Sequence, residues 1–142
     1  DDPGLIPDAC EEILRYNPAF VCMRRTVMQD VEVAGVQMKE GDKLLLHWHL
    51  INQDDKVFDD PMRFDITRAQ RMPTLAREHR AFGVGTHFCI GAHLARLEMQ
   101  VIFEELLPRL RNPKFAEPVK YVRDYFVNGI KEMNITFDPE LR

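Results

Sequence analysis

The sequence predicts a mixed fold, mainly α with small antiparallel β-sheets, and three observations carry that prediction. Apolar residues recur at Leu94, Leu97, Val101 and Leu106, the spacing of one face of a long helix. Short alternating runs, with Val27, Val31 and Val33 in one and Leu44 and Leu46 in another, are bounded by turn signals at Ala34-Gly35 and Glu40-Gly41-Asp42. The glycine patterns of dinucleotide- and phosphate-binding βαβ units are absent, so nothing in the sequence points to a Rossmann or P-loop unit.

In chain order, Pro7 to Tyr16 reads as a helix, with proline near its start, acids in its first turns and Arg15 near its end. Asn17-Pro18 stops it, because the residue before proline is pushed out of the helical region. The stretch Arg25 to Val33 is predicted as a strand. It turns at Ala34-Gly35 into Val36-Gln37-Met38, and a further strand runs from Lys43 to His49, completing a small antiparallel sheet. Asn52 to Phe58 is a short polar turn or helix, and the stretch from Asp60 to Arg80 is read as extended and irregular. A helix then runs from Ile90 to about Leu107, before Pro108. The tail from Phe115 to Phe137 holds short β-like runs around a turn at Asn128-Gly129.

Composition bounds the function. With 142 residues, 45% of them hydrophobic, the chain has material for one core of ordinary size. The net charge of −4, with charges interspersed, gives no electrostatic case for nucleic-acid binding. No apolar run is long enough to cross a membrane, and Asp1-Asp2-Pro3 is unlike a signal peptide, so no membrane partner and a cytoplasmic location are expected. Three cysteines without close pairing argue against a disulfide framework and suit a reducing compartment.

The chemistry concentrates in Ala81-Phe82-Gly83-Val84-Gly85-Thr86-His87-Phe88-Cys89-Ile90-Gly91-Ala92. Cys89 is framed by glycines at −4 and +2 and lies just before a helix, where the positive end of the helix dipole favours the thiolate a metal needs. Gly85 and Gly91 carry no Cβ where the loop would press against a large flat ligand. Backbone N–H groups of such a loop are placed to point at the sulfur and tune its electron donation. His87 is placed to hydrogen-bond an anionic edge group of that ligand, and Phe82 to shield the sulfur from water. A buried, inert cysteine in a glycine-rich turn is the plainer alternative.

The spacing Phe82-x-x-Gly85-x-His87-x-Cys89-x-Gly91 resembles the haem-ligand loop of the cytochrome P450 family, whose cysteine thiolate is an axial iron ligand. Two further motifs resemble the same family. Glu12 and Arg15 share a helix face at i, i+3, and Phe64-Asp65-Ile66-Thr67-Arg68 resembles the segment that supplies a second arginine. The resemblance implies a buried structural triad of Glu12, Arg15 and Arg68 bracing the cysteine loop. It implies haem b (iron protoporphyrin IX) held by Cys89, His87, Arg25, Phe82, Gly83, Gly85 and Gly91, with Arg25 and His87 on the propionates. Neighbouring Arg24 competes with Arg25 for that role.

By the same resemblance, Ala19, Phe20 and Val21 entering the sheet, and Phe126 and Val127 at the tail's tip, line a pocket for a hydrophobic substrate, with steroids or terpenoids favoured. Ordinary core packing accounts for those apolar residues equally well. The activity implied is monooxygenation, with a ferredoxin or flavodoxin supplying electrons; Arg71, Arg77, Arg80 and Arg96 are candidates for that partner's footprint, as against a merely solvated basic surface. The resemblance covers only the C-terminal third of the family's length, so residues 1–142 are expected to be the haem-binding C-terminal portion of one domain, inactive alone and lacking the distal proton-delivery helix. A non-catalytic haem sensor or carrier using Cys89 is the alternative, and a peroxide-using or isomerising relative is a third.

The remaining histidines and cysteines take plainer readings. His47 and His49 flank Trp48 on a predicted strand without a third ligand. His79 and His93 are read as structural or hydrogen-bonding, and Cys10 and Cys22 as packing residues.

Overall fold

In the computed structural model, which describes residues 2–138, the first helix, α1, spans Ile6–Tyr16 after a 3₁₀ turn at Pro3–Leu5. Asp2 caps that turn by accepting the Gly4 N–H at 2.9 Å. Residues 1 and 139–142 of the expected 1–142 unit lie outside the described residues. Asn17 leaves helical geometry (φ −137°) while its N–H still closes on Ile13 O, and Pro18 prevents continuation.

The sheet region is two nested antiparallel ladders. The outer joins β1 (Cys22–Thr26) to β4 (Lys43–His47), with Cys22 opposite His47 and Thr26 opposite Lys43. The inner is a hairpin of β2 (Val31–Val33) and β3 (Val36–Met38). Its two-residue turn has positive φ at both Ala34 (51°) and Gly35 (80°), the mirror-image turn whose twist matches a hairpin. The predicted strand from Arg25 to Val33 is therefore broken. Val27 buries its side chain, and its N–H and C=O are taken by Asp42 and Gly41. The Asp30 carboxylate accepts from the Lys39 ammonium and the Glu40 N–H, locking the corner.

Two further stretches differ from the sequence expectation. β4 ends at His47, and residues 48–51 form a helical turn, α2 (Trp48–Ile51). Trp48 N–H donates to Val21 O and the indole is buried, so tertiary packing overrides the strand-like alternation of His47-Trp48-His49. His49 bonds Gln53, two residues past that turn. The stretch before Arg80 contains two four-residue helices, α3 (Arg68–Arg71) and α4 (Leu75–Glu78), each too short to leave a periodic pattern.

The fifth helix, α5, runs from Ala92 to Leu106 and packs against α1. In the tail, β5 (Arg111–Phe115) pairs with β8 (Ile135–Asp138), and β6 (Lys120–Tyr121) with β7 (Ile130–Glu132). Asn128-Gly129 is not a two-residue hairpin turn. The chain from 122 to 129 makes a longer tip, closed by Val122 N–H to Gly129 O, which reaches across to Phe20.

The centre is polar. Ile6, Cys10, Trp48, Phe58, Leu75 and Ala92 are buried, but Arg15 and Arg68 are the largest fully buried side chains, with Glu12 and Asn52 beside them. The apolar stripe that predicted α5 faces outward, with Leu94 59% and Leu97 57% exposed. The helix meets this chain through a more mixed stripe of Ala92, Arg96, Met99 and Phe103.

Candidate functional site

Cys89 lies on an irregular loop between α4 and α5, three residues before the first helical residue, with Gly91 in the N-cap position. Its thiol is exposed, whereas Cys10 is buried and Cys22 half-buried. The loop is pinned from inside: Cys89 N–H donates to Phe82 O at 3.0 Å, Phe88 N–H to Gly85 O at 3.0 Å, and Ala92 N–H to Cys89 O at 3.2 Å. These three N–H groups go to carbonyls rather than to sulfur. Phe82, half-buried, and Phe88, exposed, approach edge to face with ring centroids 6.3 Å apart. The thiol itself stays open to the outside, so Phe82 does not enclose it.

The glycines test whether a flat prosthetic group fits. Gly83 and Gly85 both sit at φ +75°, a conformation that penalises any side chain. A Cβ at Gly85 would project into open space, and one at Gly91 would meet only Cys89 Sγ, at 3.8 Å. Gly91 has an ordinary φ of −85°, so nothing within the chain demands glycine there. A missing Cβ on each side of an accessible thiol, rimmed by exposed Phe88 and Ile90, is the shape a planar, largely apolar ring with an axial sulfur ligand requires. These residues fit a haem.

His87 ends a 3₁₀ turn (Gly85–His87) and is exposed. Arg25, on β1, is also exposed and donates to the neighbouring Arg24 carbonyl at 3.0 Å. Arg24 and Arg25 are successive strand residues and so project to opposite faces of the ladder, which allows only one of them to address a given group.

Glu12, Arg15 and Arg68 come together. The Glu12 carboxylate accepts both Arg15 Nε and Nη2 at 2.8 Å, Arg68 Nε at 3.0 and 3.2 Å, and the Asp65 N–H at 2.9 Å. Burial alone would raise the pKa of Glu12; the hydrogen bonds from Arg15, Asp65 and Arg68 overcome this and hold it below the usual carboxylate range. The other guanidinium hydrogens reach five backbone carbonyls. Arg15 takes those of Asn52, Pro61 and Arg63, and Arg68 takes those of Asp59, Asp60 and Arg63. Asp65 sets up this segment by accepting Thr67 N–H and Oγ1–H, an Asx turn opening α3.

The triad's bonds therefore grip the 52–63 stretch rather than the cysteine loop. Its link toward that loop is Asn52, which gives its carbonyl to Arg15 and its side-chain oxygen to the Arg80 N–H at 2.7 Å.

A second cluster lies on the other side of α1 and escapes sequence reasoning. Glu11 accepts Arg96 Nε at 2.6 Å and Nη2 at 3.0 Å, and its carboxylate meets His79 Nε2 at 2.8 Å. The Arg96 guanidinium carbon stands 4.7 Å from the centroid of the Phe82 ring. The adjacency of Glu11 and Glu12 was the only available signal; two neighbouring acids on a helix point about 100° apart and cannot share partners. Burial would raise the pKa of Glu11, yet the bonds from His79 and Arg96 pull it down to about 2. A depressed carboxyl stabilises the fold above its unfolded value near 4.5, and that contribution disappears as pH falls toward 2. In urea titrations of the whole protein, the midpoint should decline over that window in the wild type and decline less in Glu11→Gln. Parallel profiles would contradict the assignment.

The arginines considered for a partner's footprint are mostly engaged. Arg71 bonds Asp65 at 2.6 Å, Arg80 bonds the Arg77 carbonyl and approaches Glu78, and Arg96 is committed to Glu11. Arg77 is exposed.

The segments holding Ala19, Phe20, Val21, Phe126 and Val127 meet directly. Phe20 and Val127 form an antiparallel bridge, Val21 N–H donates to Phe126 O, and Asn128 N–H donates to Ala19 O. The Phe20 and Phe126 rings lie 4.8 Å apart and are partly exposed, making an aromatic platform.

Comparison with known proteins points the same way. The model of the family described as Cytochrome P450 matches residues 5–133. Cytochrome P450-terp of Pseudomonas sp is 40% identical over 136 residues, covering 96% of this chain and 30% of that protein. Linalool 8-monooxygenase of Pseudomonas putida is 35% identical over 138 residues, covering 97% and 32%. The solved structure of Cytochrome P450-153 from Novosphingobium aromaticivorans superposes with a TM-score of 0.87 at 36% identity, covering 96% of this chain and 33% of that one. The chain thus spans about a third of the length of the relatives it matches.

Proposed function

The chain belongs to the cytochrome P450 family, and from that premise we propose that it is the haem-binding C-terminal portion of a haem-thiolate monooxygenase that inserts one atom of O2 into a hydrophobic substrate. One observation carries this reading: an exposed Cys89 thiol between two side-chain-free glycine positions, on a loop anchored by Phe82. The cofactor of the family is haem b, iron protoporphyrin IX, and when bound it supplies the oxygen-activating chemistry.

The chain's own residues do the rest. Cys89 supplies the anionic sulfur ligand, and the 3.0 Å bond from its N–H to Phe82 O fixes its place in the loop. Gly83, Gly85 and Gly91 let backbone approach the ring face. His87 and Arg25 serve the propionates from two elements, so the ring is oriented as well as ligated. Glu12, Arg15 and Arg68 hold the 52–63 stretch and take no part in substrate contact.

Ala19, Phe20, Val21, Phe126 and Val127 form the substrate-facing platform. Its apolar, aromatic surface supports a terpenoid- or steroid-like substrate rather than a charged one, in keeping with the relative named for linalool. The outward apolar stripe of α5 supports a larger domain in which other helices cover it. No helix among the described residues is long and apolar enough to cross a membrane. The family reading extends to a cytoplasmic protein served by a ferredoxin or flavodoxin-type donor. Exposed Arg77 is the arginine best placed to meet an acidic donor.

The test is isotopic. With ¹⁸O₂, a redox donor and the whole haem-loaded protein, each product molecule should carry one labelled oxygen, and none when the label is in water. Binding of haem without labelled product across apolar substrates and donors would favour the sensor or carrier reading.

A further inference from the structure

The Cys89 loop is held from behind by a cluster the proposed chemistry does not use. We propose that Arg96, clamped by Glu11 and His79, is a positioning residue that sets the placement of the Cys89 sulfur by holding the Phe82 ring. The inference rests on the haem-thiolate reading above.

Arg96 sits one helical turn into α5, so its backbone is fixed by the helix and not by the loop. Its guanidinium is held bidentately by Glu11, at 2.6 and 3.0 Å, and also donates to Ala76 O at 3.3 Å. His79 meets the same carboxylate at 2.8 Å, with its side chain almost fully buried. Three elements (α1, the end of α4 and α5) therefore converge on a single carboxylate. The guanidinium carbon stands over Phe82 at 4.7 Å, and the His79 ring lies 6.2 Å from the same phenyl ring.

Phe82 in turn gives its backbone carbonyl to the Cys89 N–H, and its ring meets that of Phe88, the residue before the cysteine, in an edge-to-face contact. A displacement of Phe82 is thus transmitted to Cys89 through one hydrogen bond and one aromatic contact. The hydrogen bonds of Arg96 go to Glu11 and Ala76, and its link to Cys89 runs through Phe82. Lysine at 96 would keep the charge but lose the fork and the flat stacking face, so the two contributions are separable.

The experiment follows the carbon monoxide complex of the reduced, haem-loaded whole protein in the wild type, Arg96→Lys, Arg96→Met, Glu11→Gln and Phe82→Leu. Each is measured at a temperature where circular dichroism shows it folded. The variants should lose the long-wavelength thiolate Soret band several-fold faster than the wild type and show a shifted haem reduction potential. Arg96→Lys combined with Phe82→Leu should be no worse than Phe82→Leu alone, because Arg96 acts through that ring. If the wild type shows the band and the folded variants keep its lifetime and potential, Arg96 has no positioning role. Additive effects in the double variant would likewise overturn the route through Phe82. A wild type lacking the band would instead remove the haem-thiolate reading itself. Should Arg96→Met not fold, Arg96→Lys and Glu11→Gln still decide the question.

Discussion

Cys89→Ala is expected to abolish the long-wavelength Soret band of the reduced carbon monoxide complex and to take monooxygenation to background. The other sulfurs cannot substitute. Cys10 is buried on α1, and Cys22 lies on β1 with its thiol turned toward Tyr125 O. Cys89→His separates ligation from catalysis: imidazole binds haem iron but lacks the electron donation of a thiolate, so this variant should retain haem, show a histidine-type spectrum and remain inactive. Stability of the haem-free protein should barely change in Cys89→Ala, because an exposed thiol contributes little burial. A thiolate-type spectrum that survives in Cys89→Ala would refute the assignment of Cys89 as ligand.

The parts of this molecule that local physics determines were legible in the sequence. Proline at the second position and Asn17-Pro18 bound α1 within a residue, and the Ala34-Gly35 turn appears where the alternation breaks. The glycine-framed cysteine also announces itself locally. What was hidden depends on distant partners. Trp48 ends its strand because Val21 O is waiting for its N–H, a contact no alternation reveals. Arg96 reads as a surface cation until Glu11, 85 residues earlier, is found beside it. The periodicity of α5 identified the helix correctly but carried no information on which face meets the rest of this chain. The stripe with the most apolar residues is exposed, while the one carrying Arg96 packs on α1. A helix apolar on more than one side gives no rule for which neighbour is within the chain.

Glu12→Gln is expected to be among the most destabilising substitutions available. The triad carries two guanidiniums and one carboxylate, all essentially without solvent contact. The net positive charge is tolerated because five carbonyl oxygens absorb the remaining donors. Removing the carboxylate charge leaves two buried cations facing an amide whose own N–H₂ competes as a donor, and stranding buried charge in this way costs about 3–5 kcal/mol. That is a large share of the about 5–15 kcal/mol by which folded domains are stable, so the folded, haem-loaded yield should fall sharply and the urea midpoint of what remains should drop. Arg68→Lys should cost less than Arg68→Met, since an ammonium keeps the charge but cannot reach Glu12 and three carbonyls together. Exposed ion pairs contribute little, and Lys39→Ala against Asp30 gives that reference in the same protein. If Glu12→Gln shifts the midpoint no more than Lys39→Ala, the triad is not holding the fold. A large shift in which haem-loaded survivors keep a normal thiolate band would place its role in stability alone, as expected of side chains that grip the 52–63 stretch and reach the cysteine loop only through Asn52 and Arg80.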